Sequence, residues 1–134
     1  MTTAYFSHPD CLEHVNPPGH PEQVARLKAI EAALANPVFD GLDRREAPLG
    51  AEEAIRRAHP KAQIDAIREA IPEKGWQQID PDSTTSPGSW NAALRAVGGV
   101  CGAVDAVLSG EVANAFVAAR PPGHHAERAN AMGF

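Results

Sequence analysis

Hydrophobic positions in this chain change their period several times, and each change marks an element. Thr3, Ala4, Tyr5 and Phe6 predict a short strand over residues 3–6. Residues 7–20 then lose any period. His8, Pro9, Cys11, His14, Pro17, Pro18, Gly19 and His20 fall within them, so an irregular loop is expected. Helix signals begin at Pro21, which suits a first helical position, and at Glu22, which suits the positive end of the helix dipole. Val24, Leu27, Ile30 and Leu34 recur at helical spacing, and Asn36-Pro37 ends the run. Residues 43–48 predict a second strand. A short helix is expected over 51–57 and another over 60–71, with Ile64, Ile67 and Ile71 on one face and Pro72 as the stop.

Polar residues dominate again from Asp80 to Ser89. Ser86 before Pro87, or Ser89, would cap the helix that follows. That helix is the longest element and closes at Gly110. Trp90, Leu94, Val97, Cys101, Val104 and Leu108 form its apolar stripe, which is expected to be its core face, with Cys101 buried. Gly98, Gly99 and Gly102 each cost about 1 kcal/mol against alanine inside a helix, so the three together imply another backbone packed close. Residues 113–119 are apolar without alternation, as in a strand covered on both faces. Strand, helix and strand in succession predict an α/β fold with a mostly parallel sheet flanked by helices. Ligands in such sheets sit beyond the carboxyl ends of the strands.

The 134 residues suit one modest domain. Aromatic residues make up only 5 %, so the core must rest on Ala, Val, Leu and Ile. A formal net charge of -5 argues against a nucleic-acid partner. No run is read as a membrane span, and Met1 to Tyr5 lack the features of a signal peptide. Cys11 and Cys101 make no disulfide framework, so a reducing cytoplasm is the expected setting.

The strongest chemical signal is Arg120-Pro121-Pro122-Gly123-His124-His125, directly after the apolar strand. Imidazole exchanges protons near neutral pH, so two at a strand's mouth suggest paired acid/base work. Neighbouring side chains on an extended strand point to opposite faces. Both rings can face one site only if the backbone bends, and Pro122-Gly123 supplies a reason for the bend. Without its flanking pattern the pair would read as an ordinary surface-loop pair.

With that pattern, the segment resembles the catalytic loop of the histone deacetylase and acetylpolyamine amidohydrolase superfamily. The resemblance rests on Arg120 to Ala126 followed by Met132-Gly133-Phe134, and on His8-Pro9, His14, Gly19-His20-Pro21-Glu22 and Arg26. Asp82 to Trp90 and the glycine-bearing helix extend it over nearly the whole chain. It implies a partial arginase-like deacetylase fold and zinc-dependent hydrolysis of an N-acetyl amide, either acetyl-lysine or an acetylpolyamine. His124 would orient the reacting water as the electrostatic or basic partner, and His125 would deliver a proton to the leaving amine. Gly133 would offer its carbonyl to the substrate amide, and Phe134 would wall the acyl channel. Asp82, or Asp80, would be the rim carboxylate that grips the substrate. His59 matches a recurrent position of the family and is expected to be a structural hydrogen-bonding group.

The resemblance places the zinc ligands in an Asp-x-His motif and a second distant Asp, all downstream of Gly-Phe, and no Asp-x-His occurs here. Residues 1–134 are therefore expected to be the N-terminal portion of one deacetylase domain, without zinc ligands and inactive alone. Three alternatives stay open. His8, Cys11, His14 and His20 offer four ligands for a local structural zinc. The chain would otherwise be a non-catalytic binding module, or a homo-oligomer held together through an open sheet edge. Trp76 and Trp90 are expected to pack rather than to recognise a ligand.

Overall fold

The computed structural model describes residues 2–133. Its centre is a three-stranded parallel sheet of β1 (Thr3–Ser7), β2 (Asp43–Glu46) and β5 (Asn114–Val117), in the order β2-β1-β5. Tyr5 of β1 lies level with Arg44 on one side and Phe116 on the other. Two backbone bonds continue the ladder past the strands, Ala47 N–H to the Ser7 carbonyl and Ala118 N–H to the Phe6 carbonyl, both 2.9 Å. Helices α1 (Val24–Leu34), α2 (Glu52–Arg56), α3 (Lys61–Glu69) and α4 (Ser89–Leu108) connect and flank the strands. Every strand and helix the sequence predicts is present, in the predicted order. Most ends retract by one to three residues, with α1 starting at Val24 rather than Pro21, while β1 runs one residue further, to Ser7.

Strand alternation divides the core between the two faces of β1. Ala4 and Phe6 pack with Ala47, Ala103, Ala106 and Val112 on the α4 side. Tyr5 packs with Cys11, Leu27 and Ala118 on the α1 side. Of the α1 stripe only Leu27 is fully buried, and Ile30 is exposed.

The face of α4 that meets the sheet is not the predicted one. Ala92, Gly98, Gly99, Ala103 and Ala106 are buried there, while Val100, Cys101, Val104 and Leu108 are exposed. Close approach of backbones explains the inversion, because small residues let α4 lie against the chain after β2. A Cβ on Gly98 would stand 2.0 Å from the Pro48 carbonyl oxygen, and Gly50 N–H donates to the Leu94 carbonyl at 2.8 Å. Glycine spacing was thus the correct guide to the docked face, and side-chain size was not.

Other readings need correction. Gly88 is the N-cap of α4, and no side chain caps it. Ser86 and Ser89 instead bond each other, with Ser86 N–H donating to Ser89 Oγ at 2.8 Å. Ser89–Leu108 is long and apolar enough, by length and composition alone, to cross a membrane. Its glycines dock on a backbone, and its Arg95 pairs with Asp10 (2.8 Å) and the Ala47 carbonyl, so here it flanks a sheet. β5 is half open, with Phe116 at 47 % exposure, rather than covered on both faces. A two-stranded antiparallel ribbon, β3 (Gln77–Gln78) with β4 (Thr84–Thr85), lies where only a loop was expected. Trp76 is exposed, and Trp90 is half-buried with the Arg68 guanidinium 4.4 Å above its ring.

Candidate active site

The site is built where β1 and β5 end. Leaving β5, the chain passes Ala118 and Ala119 and reaches Arg120, which is 3 % exposed. A buried guanidinium is tolerated only when its donors are matched. Here Nε and Nη2 grip both carboxylate oxygens of Glu22 at 2.7 and 2.6 Å. Nη1 donates to the His14 carbonyl at 2.7 Å and to the Cys11 carbonyl at 3.4 Å, and Nη2 also reaches Asn16 Oδ1 at 3.2 Å. One side chain therefore fastens residues 11–22 to the root of the His-His loop. Sequence reasoning assigned no such role to Arg120, Glu22 or Asn16. The available signal was a charged residue closing an apolar strand, which demands a buried counterion.

Beyond Arg120 the peptide to Pro121 is cis, and Gly123 takes φ +46. Ala126 N–H closes a turn on the Gly123 carbonyl at 3.0 Å. The turn brings the rings of His124 and His125 side by side, with centroids 4.2 Å apart and planes tilted by 59°. Both residues are exposed. Gly133 packs beneath His125 with φ +95. A Cβ there would lie 3.0 Å from His125 Cβ, so both backbone and space call for glycine.

The far limb of the loop is held by α3 and the residues before it. His59 Nδ1 meets the Arg128 carbonyl at 3.1 Å, the structural hydrogen bond expected of it. The Gln63 amide, oriented to match its neighbours, donates to the Ala129 carbonyl at 2.8 Å and accepts from Ala131 N–H at 3.0 Å. Glu127 and Asn130 close the intervening turn through backbone and side chain.

Asp80 and Asp82 separate into different roles. Asp80 Oδ1 accepts from the N–H groups of Asp82 and Ser83, both at 2.8 Å. Desolvation pushes its carboxyl up, and those hydrogen bonds outweigh it and hold the pKa below the usual range. Asp80 is thus a turn-former. Asp82 is exposed, and its carbonyl receives His20 Nε2 at 3.3 Å. Phe134 lies outside the described residues.

The four candidate ligands of a local zinc do not converge. Among the described residues no group of three or more His, Cys, Asp or Glu is placed to hold a metal ion. His8 Nδ1 accepts from Asp10 N–H, and Cys11 is buried in the α1-side core. His20 Nδ1 accepts from Glu22 N–H at 3.1 Å, and His14 Nδ1 pairs with Ser89 Oγ at 2.7 Å. Each ring fixes a local turn or joins the loop to α4, which draws the set apart.

His14 is 1 % exposed. Burial, aided by the nearby Arg120 cation, lowers its pKa to about 4. An unfolded His14 would titrate near its ordinary value of about 6.5. Between those values the unfolded chain binds a proton that the folded chain refuses. Stability is expected to fall as pH drops from 6.5 towards 4, and NMR titration should show a ring neutral down to about pH 4. A His14 midpoint near 6.5 would contradict this assignment.

Comparison with known proteins bears on the fold and the family. The Histone deacetylase domain model matches residues 20–134. The chain belongs to the histone deacetylase family. It is 32 % identical to the Histone deacetylase-like amidohydrolase of Pseudomonas aeruginosa, over 98 % of this chain and 39 % of that protein. It is 31 % identical to the human Polyamine deacetylase HDAC10, over 84 % of this chain and 18 % of that one. Among solved structures, the HDA15 HD domain superposes with a TM-score of 0.91 at 28 % identity, over 99 % of this chain and 39 % of that one. This deacetylase-family chain therefore spans about two fifths or less of these relatives and has the α/β fold of the part it covers.

Proposed function

We propose that this chain is the N-terminal portion of a single deacetylase domain and supplies the proton-handling side of a site that hydrolyses N-acetylated amines. The observation that carries the reading is the pair of adjacent imidazoles, 4.2 Å apart, on a loop braced at both limbs. Amide hydrolysis needs a proton delivered to a poor leaving group, and a positioned imidazole performs that task near neutral pH. His125, seated on Gly133, is the proton donor to the departing amine. His124 beside it holds and orients the attacking water. The Gly133 carbonyl accepts the substrate amide N–H, Phe134 walls the acyl channel, and Asp82 receives the substrate at the rim.

Zinc is the metal the family resemblance implies. The residues present do not assemble a site for it, since no three ligands converge among those described. On this reading its ligands come from polypeptide outside residues 1–134. A reducing, cytoplasmic setting accords with both cysteines being free.

Acetylpolyamines and acetyl-lysine both fit an N-acetylated amine. A net charge of -5 favours the polycationic tail of the former. Acetate release from acetylspermidine and from an acetyl-lysine peptide tests the reading. Residues 1–134 alone should release none, and the protein carrying the complete domain should release it in a zinc-dependent manner. Turnover by 1–134 alone would contradict the division of labour, and a complete protein inert on both substrates would contradict the deacetylase assignment.

A further inference from the structure

Asp82 stands on a backbone whose two polar groups are both held by side chains. Its N–H donates to Asp80 Oδ1 at 2.8 Å, within the turn that follows β3. Its carbonyl meets His20 Nε2 at 3.3 Å, from a residue 62 positions earlier. The Ser83 carbonyl accepts from Ile79 N–H at 2.9 Å and closes the turn. Asp82 itself stays exposed. A group anchored in this way keeps its place and gives up little freedom when it binds.

A tight turn presents His20. Pro18 and Gly19 (φ +85) fill its centre, and His20 N–H returns to the Pro17 carbonyl at 3.2 Å, the signature of a type II turn. The half-buried ring then meets donors on one nitrogen and an acceptor on the other. Glu22 N–H donates to Nδ1 at 3.1 Å, and the Asn16 amide nitrogen lies 3.4 Å from it. Arg120 orients that amide, because it donates to Asn16 Oδ1 and so turns the nitrogen towards His20. Two donors at Nδ1 place the ring's proton on Nε2, where the Asp82 carbonyl accepts it. The Glu22 carbonyl, 3.0 Å from Nδ1, favours the other tautomer, but that one leaves a bare Nε2 against a carbonyl. Arg120 thus reaches His20 by two routes, through Asn16 and through the Glu22 carboxylate that it grips. A continuous run of hydrogen-bonded residues joins the root of the His-His loop to the rim.

We propose that His20 is a positioning residue. Through the Asp82 carbonyl it fixes the rim carboxylate relative to the loop of His124 and His125, so that an acetylated amine is gripped with its amide beside the imidazoles. This rests on the reading of Asp82 as the rim carboxylate of a deacetylase. His20 acts through Asp82, so it governs binding of the substrate rather than transfer of the proton.

Two substitutions in the protein with the complete domain separate this role from a local one. His20→Asn keeps an acceptor near Nδ1 for Glu22 N–H and is too short to reach Asp82. His20→Gln carries a donor near the place of Nε2. His20→Asn should raise KM for acetylspermidine about tenfold with kcat nearly constant, and His20→Gln should stay close to the unsubstituted protein. A merely local turn role gives the reverse order. Asp82→Ala should raise KM by itself, and adding His20→Asn to it should raise KM no further, since the two residues act in series. Hydrogen exchange followed by mass spectrometry should show residues 79–85 exchanging about tenfold faster in His20→Asn and at the original rate in His20→Gln. Unchanged KM in His20→Asn beside a raised KM in Asp82→Ala would overturn the proposal alone. An equal effect of His20→Asn with and without Asp82, or unchanged exchange across 79–85, would overturn it as well. If Asp82→Ala leaves KM unchanged, the rim assignment falls and the proposal falls with it. An unsubstituted protein that releases no acetate from either substrate instead refutes the deacetylase reading, and exchange across 79–85 still decides whether His20 holds the rim.

Discussion

Arg120→Met is expected to cost about 3–5 kcal/mol of folding stability, the penalty for breaking a buried ion pair by removing one partner. The substitution strands the Glu22 carboxylate, which is 2 % exposed. It also takes donors away from the carbonyls of His14 and Cys11 and from Asn16. Arg26 offers little rescue, because its guanidinium is 3.8 Å from Glu22 and mostly in solvent. Native domains hold only about 5–15 kcal/mol in total, so a loss of this size takes a large share. Urea unfolding followed by circular dichroism measures it. The double variant Arg120→Met with Glu22→Leu should recover part of the loss, since no lone charge then remains buried. If Arg120→Met unfolded at the wild-type midpoint, the bracing role given to this ion pair would be wrong.

The elements of the fold were legible because their signals are local. Pro37, Pro72 and Gly110 punctuate the helices where expected, and the apolar runs at β1 and β5 became neighbouring parallel strands. The docked face of α4 was misread because apolar periodicity assumes a protein that buries its largest side chains. In residues 1–134 that rule fails at Val100, Val104 and Leu108, which lie exposed while Gly98 and Ala103 are buried. The loop that carries His124 and His125 was legible as a motif, and the Pro-Gly bend was inferred from residue chemistry. What the sequence hid was the scaffolding behind it. Glu22 and Arg120 stand 98 positions apart, and no periodicity links them. The zinc proposal for His8, Cys11, His14 and His20 failed for a related reason. Proximity along the chain does not bring rings together when each is drawn to a different neighbour.

His125→Ala in the protein with the complete domain is expected to lower turnover by about two orders of magnitude or more, the contribution of a positioned general acid. His124→Ala should also slow the reaction, with both variants folded, because both rings are exposed and no hydrogen bond of the described residues depends on either. Substrate affinity should change little for His125→Ala, as the ring acts on the leaving group rather than on binding. Acetate release by that variant, against the unchanged protein at saturating acetylated amine, therefore tests most directly whether this chain supplies the proton. The account predicts a fall of about a hundredfold in kcat with KM nearly constant, and an unchanged kcat would contradict it.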